Sequence, residues 1–244
     1  MPMQQFLFEK GVKVVPGSQT FGPGANNFTV PLFNTLTISL SGGGGGGGTA
    51  SSCLGFGIYV AGTDGVDTVL SALGLTAHGG KGASPGNSAM TGGTASGGST
   101  NTTGGTSTVG FNSGPSRFSG AGGAGGSGAA GGLSNGVIHS TSVNRSAGGS
   151  SGATGGGGGG GAVLNDVDDN TAQAAGGSGA GYCSRAYTAV GGVVKYNDVL
   201  SFTVGAGATA WIASCTASWA GGGTVQILLA GGAGGAGQIT FTWS

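Results

Sequence analysis

Hydrophobic and polar positions alternate near both ends of the chain. The stretch Asn27–Ser41 (NFTVPLFNTLTISLS) ends with leucine and isoleucine alternating with threonine and serine, which is the pattern of a half-buried strand. The same alternation recurs in Val199–Val204 and Gln238–Trp243. Short strands joined by polar turns predict a β-sandwich or a barrel-like sheet. Further strand candidates are Leu54–Ala61, Val193–Val204, Ala210–Ala220 and Thr224–Leu229.

Helical periodicity is nearly absent. Gly interrupts almost every window of the sequence, and each Gly costs a helix about 1 kcal/mol relative to Ala. The best exception is Val66–Leu75 (VDTVLSALGL), where Val69, Leu70 and Leu73 fit helical spacing, although the same stretch fits an irregular strand equally well. We therefore predict a mainly β protein with almost no α-helix.

The region between the strands, residues 79–181, consists largely of small residues that recur with a period of three. In Gly120–Gly132, for example, Ala or Ser occupies every third position, and heptaglycines occupy Gly42–Gly48 and Gly155–Gly161. Three residues per turn is the geometry of the polyproline-II helix, which makes no internal hydrogen bonds. Gly at two of three positions lets such helices pack closely, with Ala, Ser or Thr facing outward. The pattern predicts packed polyglycine-II helices framed by β-strands, with a flexible linker as the alternative.

Composition decides between order and disorder. Gly makes up 63 of 244 residues, which by itself indicates low complexity. However, 37% of the residues are hydrophobic and the formal net charge is zero, so little self-repulsion keeps the chain expanded. We expect an ordered protein with an attachment segment at 1–18 and a glycine-rich β domain at 19–244. That domain divides into N-terminal strands (19–75), the glycine-rich region (79–181) and C-terminal strands (182–244).

Charge and cysteine usage restrict the environment and the partners. The Lys and Arg residues are scattered, which argues against nucleic-acid binding. No apolar run reaches the length of a membrane-spanning helix, and the N-terminus lacks the pattern of a signal peptide. We therefore expect a protein made and kept in the cytoplasm, without membrane insertion. Cys53, Cys183 and Cys215 are odd in number and lack metal-ligand spacing, which favours buried free thiols over a disulfide between protomers.

Motifs for catalysis or cofactor binding are missing. Neither heptaglycine is followed by the Lys and Ser/Thr of a phosphate-binding loop. His78 and His139 lie far apart in Gly- and Ser-rich surroundings and are predicted to be exposed loop residues. Asp166, Asp168 and Asp169 form the one acidic cluster, which favours a solvated turn over a weak cation site because the Gly and Glu of an EF-hand loop are absent. The sequence predicts no catalytic residue, no cofactor and no enzymatic activity.

Two groups of side chains are candidates for contacts with other molecules. The stretch Phe111–Phe118 (FNSGPSRF) combines aromatic, amide and guanidinium groups, which suit a glycan or protein receptor when they lie at a loop tip. A plug that anchors a long loop is the alternative. The apolar residues of the attachment segment are suited to docking on a partner. The candidate receptor-binding residues are Phe111, Asn112, Arg117 and Phe118. The candidate assembly contacts are Phe6, Phe8, Val12 and Val14.

Three segments resemble, in the same order, the glycine-rich domain of bacteriophage tail-fibre and other virion proteins. Gln19–Gly48 (QTFGPGANNFTVPLFNTLTISLSGGGGGGG) is similar to its opening, which has a strand, Val-Pro, a second strand and polyglycine. Tyr196–Gly207 (YNDVLSFTVGAG) and Gly231–Ser244 (GGAGGAGQITFTWS) look like its later elements. The resemblance implies β-strands framing a glycine-rich region and a structural role in the virion.

The glycine-rich middle also resembles the receptor-binding adhesins of T-even-like phage long tail fibres. In those adhesins, loops carried on a polyglycine-II sandwich contact the bacterial surface. The resemblance implies a component of a tail fibre, tail tip or capsid fibre that contributes to host attachment. Implied partners are other virion proteins and a bacterial surface glycan or outer-membrane protein, and a homotrimer is the family-level expectation. The alternatives are an ice- or small-ligand-binding polyglycine-II module and a virion hydrolase.

Overall fold

The computed structural model describes a mainly β protein. The described residues are 11–53, 56–84, 88–113, 116–118, 120–133, 136–138, 145–147, 152–157, 162–165, 170–190, 192–210, 212–218 and 224–244. Their strands are β1 (Gly17–Phe21), β2 (Gly24–Thr29), β3 (Thr35–Ser41), β4 (Thr49–Cys53), β5 (Phe56–Val60), β6 (Thr68–Leu70), β7 (Leu75–Ala77), β8 (Ala95–Ser96), β9 (Thr100–Thr102), β10 (Phe111–Ser113), β11 (Ser116–Phe118), β12 (Gly136–Ile138), β13 (Arg145–Ala147), β14 (Ala162–Asn165), β15 (Asn170–Gln173), β16 (Tyr182–Thr188), β17 (Val199–Val204), β18 (Ile212–Ser218), β19 (Thr224–Ala230) and β20 (Gln238–Trp243). For β4, β5, β10 to β15, β18 and β19 only the backbone is described, apart from the side chains of Thr49 and Val60.

Two antiparallel sheets form the body. Sheet one has the strand order β1-β20-β3-β16-β9, and sheet two has the order β2-β17-β6-β7-β8. Within the described residues the only helical element is the single 3-10 turn Ser71–Leu73, which ends at Gly74 in the left-handed region (φ 64°). The mainly β fold with a sandwich body is therefore confirmed, and the stretch Val66–Leu75 is a short strand followed by a turn rather than an α-helix.

Apolar side chains from the facing sheets fill the core. Leu36, Ile38 and Leu40 of β3 are fully buried, as the alternating pattern predicts. An aromatic cluster lies beside them: Phe28 and Phe241 stack with their ring centroids 4.1 Å apart, and Phe21 packs edge-on against other rings of the cluster. Burying rings of this size is a large part of what stabilises the body.

The sandwich strands lead into a layer of glycine-rich tracts. All strands of the two sheets except β1 and β2 continue at one end directly into a tract that has no regular helix or strand assignment. We call these tracts, together with the similar tracts 120–126, 129–133 and 152–157, the glycine slab. They are residues 42–48, 61–67, 78–84, 88–94, 103–110, 120–126, 129–133, 152–157, 174–181, 205–210 and 231–237. The slab thus extends on both sides of the glycine-rich region 79–181 defined from the sequence.

Backbone hydrogen bonds join the tracts with a period of three residues. In tract 42–48, residues 43 and 46 donate to tract 61–67, residues 44 and 47 donate to tract 231–237, and residues 42, 45 and 48 donate to tract 174–181. Carbonyl groups of the same tract accept N–H groups from residues 80, 83 and 208. Successive residues therefore face different neighbours, and the tract is surrounded by bonded partners.

Close approach of the backbones explains the need for Gly in the slab. A Cβ atom on Gly45 would overlap the carbonyl group of Lys81, and one on Gly177 would overlap the carbonyl group of Gly45. The third positions are different: the side chains of Thr91, Thr94 and Ala124 are exposed, in the outward orientation that the sequence predicts.

The remaining strands lie beyond the slab, at its end opposite the sandwich. Tract 42–48 runs from β3 to the hairpin β4–β5, and tract 61–67 returns from that hairpin to β6. The tracts that flank β10–β11 and β18–β19 run in the same way. Strand β4 contacts β14, β15 and β18 there, and β14 contacts β15. We call the strands β4, β5, β10 to β15, β18 and β19 the hairpin cap.

Candidate attachment surfaces

The predicted receptor-binding residues come together on one hairpin of the cap. Strands β10 and β11 are antiparallel, and their register pairs Phe111 with Phe118 and Asn112 with Arg117. Strand β12 adds a third strand, so Arg117 also pairs with Val137. The four residues are therefore neighbours in two adjacent strands, at the end of the molecule farthest from the sandwich.

The slab holds the base of this hairpin by backbone hydrogen bonds. Tract 103–110 leads into β10 and tract 120–126 leads away from β11, and the N–H of Thr108 donates to the carbonyl of Ala121 (3.0 Å). The hydroxyl of Thr108 accepts a second bond from the N–H of Ala121 (2.7 Å). The N–H of Gly176 also donates to Thr108 O (3.2 Å), which joins the hairpin base to a third tract. The position of β10–β11 is therefore fixed relative to the body.

Apolar side chains are exposed at the opposite end of the molecule. Val12 is exposed and Val14 is half-buried, whereas Phe6 and Phe8 lie outside the described residues. The last part of the predicted attachment segment is tied to the body, because Trp243 Nε1 donates to Val15 O (2.9 Å) and β1 begins at Gly17. The sheet thus starts inside the segment 1–18.

This end of the sandwich presents further exposed valines. Val190 and Val193 are 71% and 73% exposed in the loop after β16, and Val199 is 62% exposed at the start of β17. Val12 and Val15 line a groove of about 480 Å³ together with the segment between β2 and β3. Isolated exposed valines are ordinary on a protein surface, and the sandwich carries several of them at this end.

Two aspartates make a charged ladder along one edge of the slab. Asp64 Oδ1 accepts from the N–H of Gly82 (2.8 Å), and its Oδ2 accepts from Lys81 Nζ (2.8 Å). Three residues further on, Asp67 repeats the arrangement with the N–H of Gly79 (2.8 Å) and with His78 Nδ1 (2.9 Å). The carboxylates thus satisfy backbone N–H groups at the edge of the slab. We expected His78 to be an exposed loop residue, but it is half-buried and paired.

The electrostatics of this ladder are those of surface ion pairs. Partial burial acts to raise the pKa of Asp64, but the hydrogen bonds from Lys81 and from the N–H of Gly82, with the positive charge of Lys81, outweigh it and lower the pKa. The hydrogen bond to Asp64 and its negative charge raise the pKa of Lys81. Both side chains are about half exposed, with 55% and 54% of their surface accessible, so solvent screens the pair. The ladder is therefore suited to structure rather than to proton transfer.

Cys183 is a buried free thiol, as the sequence predicts. Burial raises the pKa of the Cys183 thiol from 9.0 to about 11, against the smaller effect of its hydrogen bond to Thr76 O. A thiol with this pKa is a weak nucleophile at neutral pH. The side chains of Cys53 and Cys215 lie outside the described part of the structure.

The acidic cluster Asp166, Asp168 and Asp169 and the second histidine, His139, lie outside the described residues. Among the residues that the structure does describe, no three His, Cys, Asp or Glu side chains lie close enough together to hold a metal ion. In the same part of the chain, no helix has the length and apolar character needed to cross a membrane.

The charged ladder is the feature that sequence reasoning missed. Its signal is the spacing: Asp64 and Asp67 are three residues apart, and so are His78 and Lys81. In a tract with a period of three residues, that spacing places the two residues of each pair on the same side of the tract.

Comparison with known proteins gives no match. No family, no curated protein and no solved structure is similar to the chain.

Proposed function

We propose that the chain is a structural protein of a bacteriophage virion, a component of a tail fibre, tail tip or capsid fibre, without enzymatic activity. The observation that carries the proposal is the three-layer order of sandwich, glycine slab and hairpin cap. Strands, polyglycine and closing strands occur in the order found in the glycine-rich domain of phage virion proteins. The slab acts as a rigid spacer between two ends that are free to make different contacts.

The slab tracts are, in this proposal, polyglycine-II helices packed side by side. Tract 174–181 supports this interpretation. It exchanges backbone hydrogen bonds with tracts 42–48, 78–84, 103–110 and 120–126, and its residues 179 and 180 bond to residues 93 and 155. A helix with three residues per turn and no internal hydrogen bonds directs its N–H and C=O groups outward in this way. Each hydrogen bond between two tracts contributes about 0.5–1.5 kcal/mol net, so many such bonds together can hold tracts that bury few side chains.

The two ends then have separate tasks. The apolar end, with Val12, Val15 and Val193, contacts another virion protein, and the cap contributes to attachment to a glycan or protein of the bacterial surface. Within the cap we assign Phe111, Asn112, Arg117 and Phe118 to this contact, because the register of β10–β11 makes the two aromatic residues cross-strand partners and does the same for the amide and guanidinium residues. A homotrimer is the assembly that phage fibres favour.

The location is tested by immunogold electron microscopy of virions purified from the lysate in which the protein is made. We expect gold at a discrete site on the fibre, tail tip or capsid. The matched control is the same antibody absorbed with the purified protein. Intact particles that carry no more gold than this control would overturn the virion assignment.

Host attachment is tested separately by competition. Cells are incubated with purified protein before virions are added, and the adsorption rate constant is measured. We expect the wild-type protein to slow adsorption and Arg117→Ala to lose this effect. Thr209→Ala, which alters an exposed position of the slab, is the matched control and should compete like the wild type. If Arg117→Ala, Asn112→Ala and Phe118→Ala all compete fully, the β10–β11 assignment is wrong even though the virion assignment stands.

A further inference from the structure

A small cleft lies where sheet one meets the glycine slab. We call it the junction cleft. Its volume is about 180 Å³. That is smaller than the about 300–1,000 Å³ of pockets for drug-sized ligands, so the cleft suits one sugar ring rather than an oligosaccharide. The side chains that matter for its chemistry are Ser39, Ser127, Thr154, Tyr182, Gln238 and Thr240.

The fold brings these residues together from two layers. Tyr182, at the start of β16, and Gln238, at the start of β20, both pair with Ser41 of β3, so their side chains project from the outer face of sheet one. Ser127 and Thr154 come from two turns of the slab at its sandwich end. The N–H of Gly128 closes one turn on Gly125 O (2.9 Å), and Gly155 in the other turn has a left-handed φ of 72°. Both turn residues are exposed and overhang the sheet.

The side chain of Tyr182 extends along the sheet. Tyr182 pairs with Ser41, yet its hydroxyl donates to Ser39 Oγ (3.2 Å), two residues along the neighbouring strand. The ring must therefore extend diagonally across the surface of the sheet. Ser39 Oγ is held in turn by Ser184 Oγ (3.0 Å), which fixes the position of the phenol. Tyr182 is half-buried and lines the cleft, so its ring is available for contact with a ligand there.

The polar groups of the junction cleft are uncharged and contain donors and acceptors. Gln238 Nε2 donates to Thr240 Oγ1 (3.1 Å), which orients the amide on the sheet surface. Ser127 and Thr154 line the cleft from the side of the slab. Among the residues that the structure describes, no charged side chain lines the cleft. A charged ligand would lose solvation there without gaining a partner of opposite charge, whereas a neutral polyol would exchange water for amide and hydroxyl groups.

We propose that the junction cleft binds one neutral sugar ring, either a free monosaccharide or a unit of a polysaccharide. The apolar face of the sugar packs on the ring of Tyr182, and its hydroxyls bond to Gln238, Ser127 and Thr154. An aromatic platform with a few convergent polar groups is the ordinary composition of a small-ligand site. The site is separate from β10–β11 and does not depend on the location of the protein in a virion.

Saturation-transfer difference NMR on the full-length protein tests the proposal. The probes are glucose, galactose, mannose and N-acetylglucosamine, with glucuronate as the charged control. We expect at least one neutral sugar to bind with a Kd on the order of 1 mM, as suits a ligand of this size, and glucuronate to give no signal. If a polysaccharide built from the same sugar displaces the bound monosaccharide, the ligand is a unit of a polysaccharide. If it does not, the ligand is the free sugar. The absence of signal from every neutral sugar, or equal binding of glucuronate, overturns the proposal.

Variants locate the binding. Ser127→Trp fills the cleft from an exposed turn and should abolish binding, and Gln238→Ala should weaken it about ten-fold through the loss of a hydrogen bond. The matched control is Ser18→Ala, because Ser18 lies on the same outer face near the opposite end of β20, where it pairs with Thr242 (3.2 Å between the hydroxyls). The thermal melting of both variants is measured first. If Gln238→Ala fails to fold, Ser127→Trp still tests the site, provided that its melting is unchanged. Full binding by Ser127→Trp places the sugar elsewhere and refutes the assignment.

Discussion

Replacement of Gly45 by Ala isolates the close backbone contact on which the glycine slab depends. Gly45 lies in the middle of tract 42–48, and its N–H donates to Ser178 O (3.0 Å). The added Cβ would overlap the carbonyl group of Lys81 in tract 78–84. Because that obstacle is backbone, no side-chain rotation relieves it. The two tracts must separate by about 1.5 Å to reach ordinary van der Waals contact.

The cost follows from the bonds that this separation lengthens. Tract 78–84 donates to tract 42–48 on both sides of Gly45, from Gly80 to Gly43 O (2.8 Å) and from Ala83 to Gly46 O (2.9 Å). Weakening both, with their buried groups left partly unsatisfied, costs about 2–4 kcal/mol. The lower entropy of the unfolded chain with Ala offsets about 0.4–1 kcal/mol. We expect a net loss of about 1–3 kcal/mol in the free energy of unfolding.

Chemical denaturation followed by far-UV circular dichroism measures this loss, with hydrogen exchange to locate it. The matched control is Gly22→Ala, because Gly22 is exposed and a Cβ there meets no atom within 4 Å. That variant should be unchanged or slightly stabilised. If Gly45→Ala is as stable as Gly22→Ala, the tracts are not packed closely and the reasoning about the slab is wrong.

Four further measurements test other parts of the structure. Amides of tract 42–48 should be protected from hydrogen exchange, and fast exchange throughout the tract would identify a tether. Phe241→Ala should lower the free energy of unfolding by about 3–5 kcal/mol, because the ring is fully buried; a loss below about 1 kcal/mol would contradict the packing. Asp64→Asn should cost less than about 1 kcal/mol at pH 7. The pKa of Asp64 is lowered on folding, so the difference in unfolding free energy between the wild type and Asp64→Asn is present above pH 3.8, the usual pKa of this carboxyl, and disappears as the pH falls below it. A difference that grows in acid would refute the pairing with Lys81. Cys183 should resist alkylation at pH 8 until the protein unfolds, as mass spectrometry of its peptide would report, and rapid labelling of the native protein would show that the thiol is accessible.

Much of the sandwich could be predicted from the sequence, because alternation of apolar and polar residues indicates a sheet with one buried face. β3, β17 and β20 match the predicted alternating strands, since their inward positions carry only large apolar residues. The alternating pattern did not identify β16, because Arg185 occupies an inward position between Cys183 and Tyr187. The side chain of Arg185 donates to Gly97 O (3.3 Å) instead of entering the core. β1 escaped it because an edge strand with mostly exposed residues needs no apolar alternation.

The arrangement of the slab was predictable in its period but not in its neighbours. Every tract offers the same backbone groups and the same small side chains, so any tract could pack against any other. The strands and hairpins at the two ends decide which tracts meet, and those contacts are remote in sequence: Gly44 bonds to Gly235, and Gly45 bonds to Ser178. The junction cleft was unpredictable for the same reason, since Tyr182 and Ser127 meet only through this arrangement.

The packing of the slab also limits where recognition can reside. A tract enclosed by bonded neighbours, as 42–48 and 174–181 are, leaves no room for side chains at the positions that face another backbone. Chemically varied side chains can stand only at outward third positions, as Asp64 and Lys81 do at the slab edge, or where the tracts end. Sequence changes in the hairpin cap therefore leave the spacer intact, whereas changes at the close contacts of the slab displace the whole cap. A protein that must vary its contacts while keeping its length benefits from this division, which is the requirement we propose for a phage attachment component.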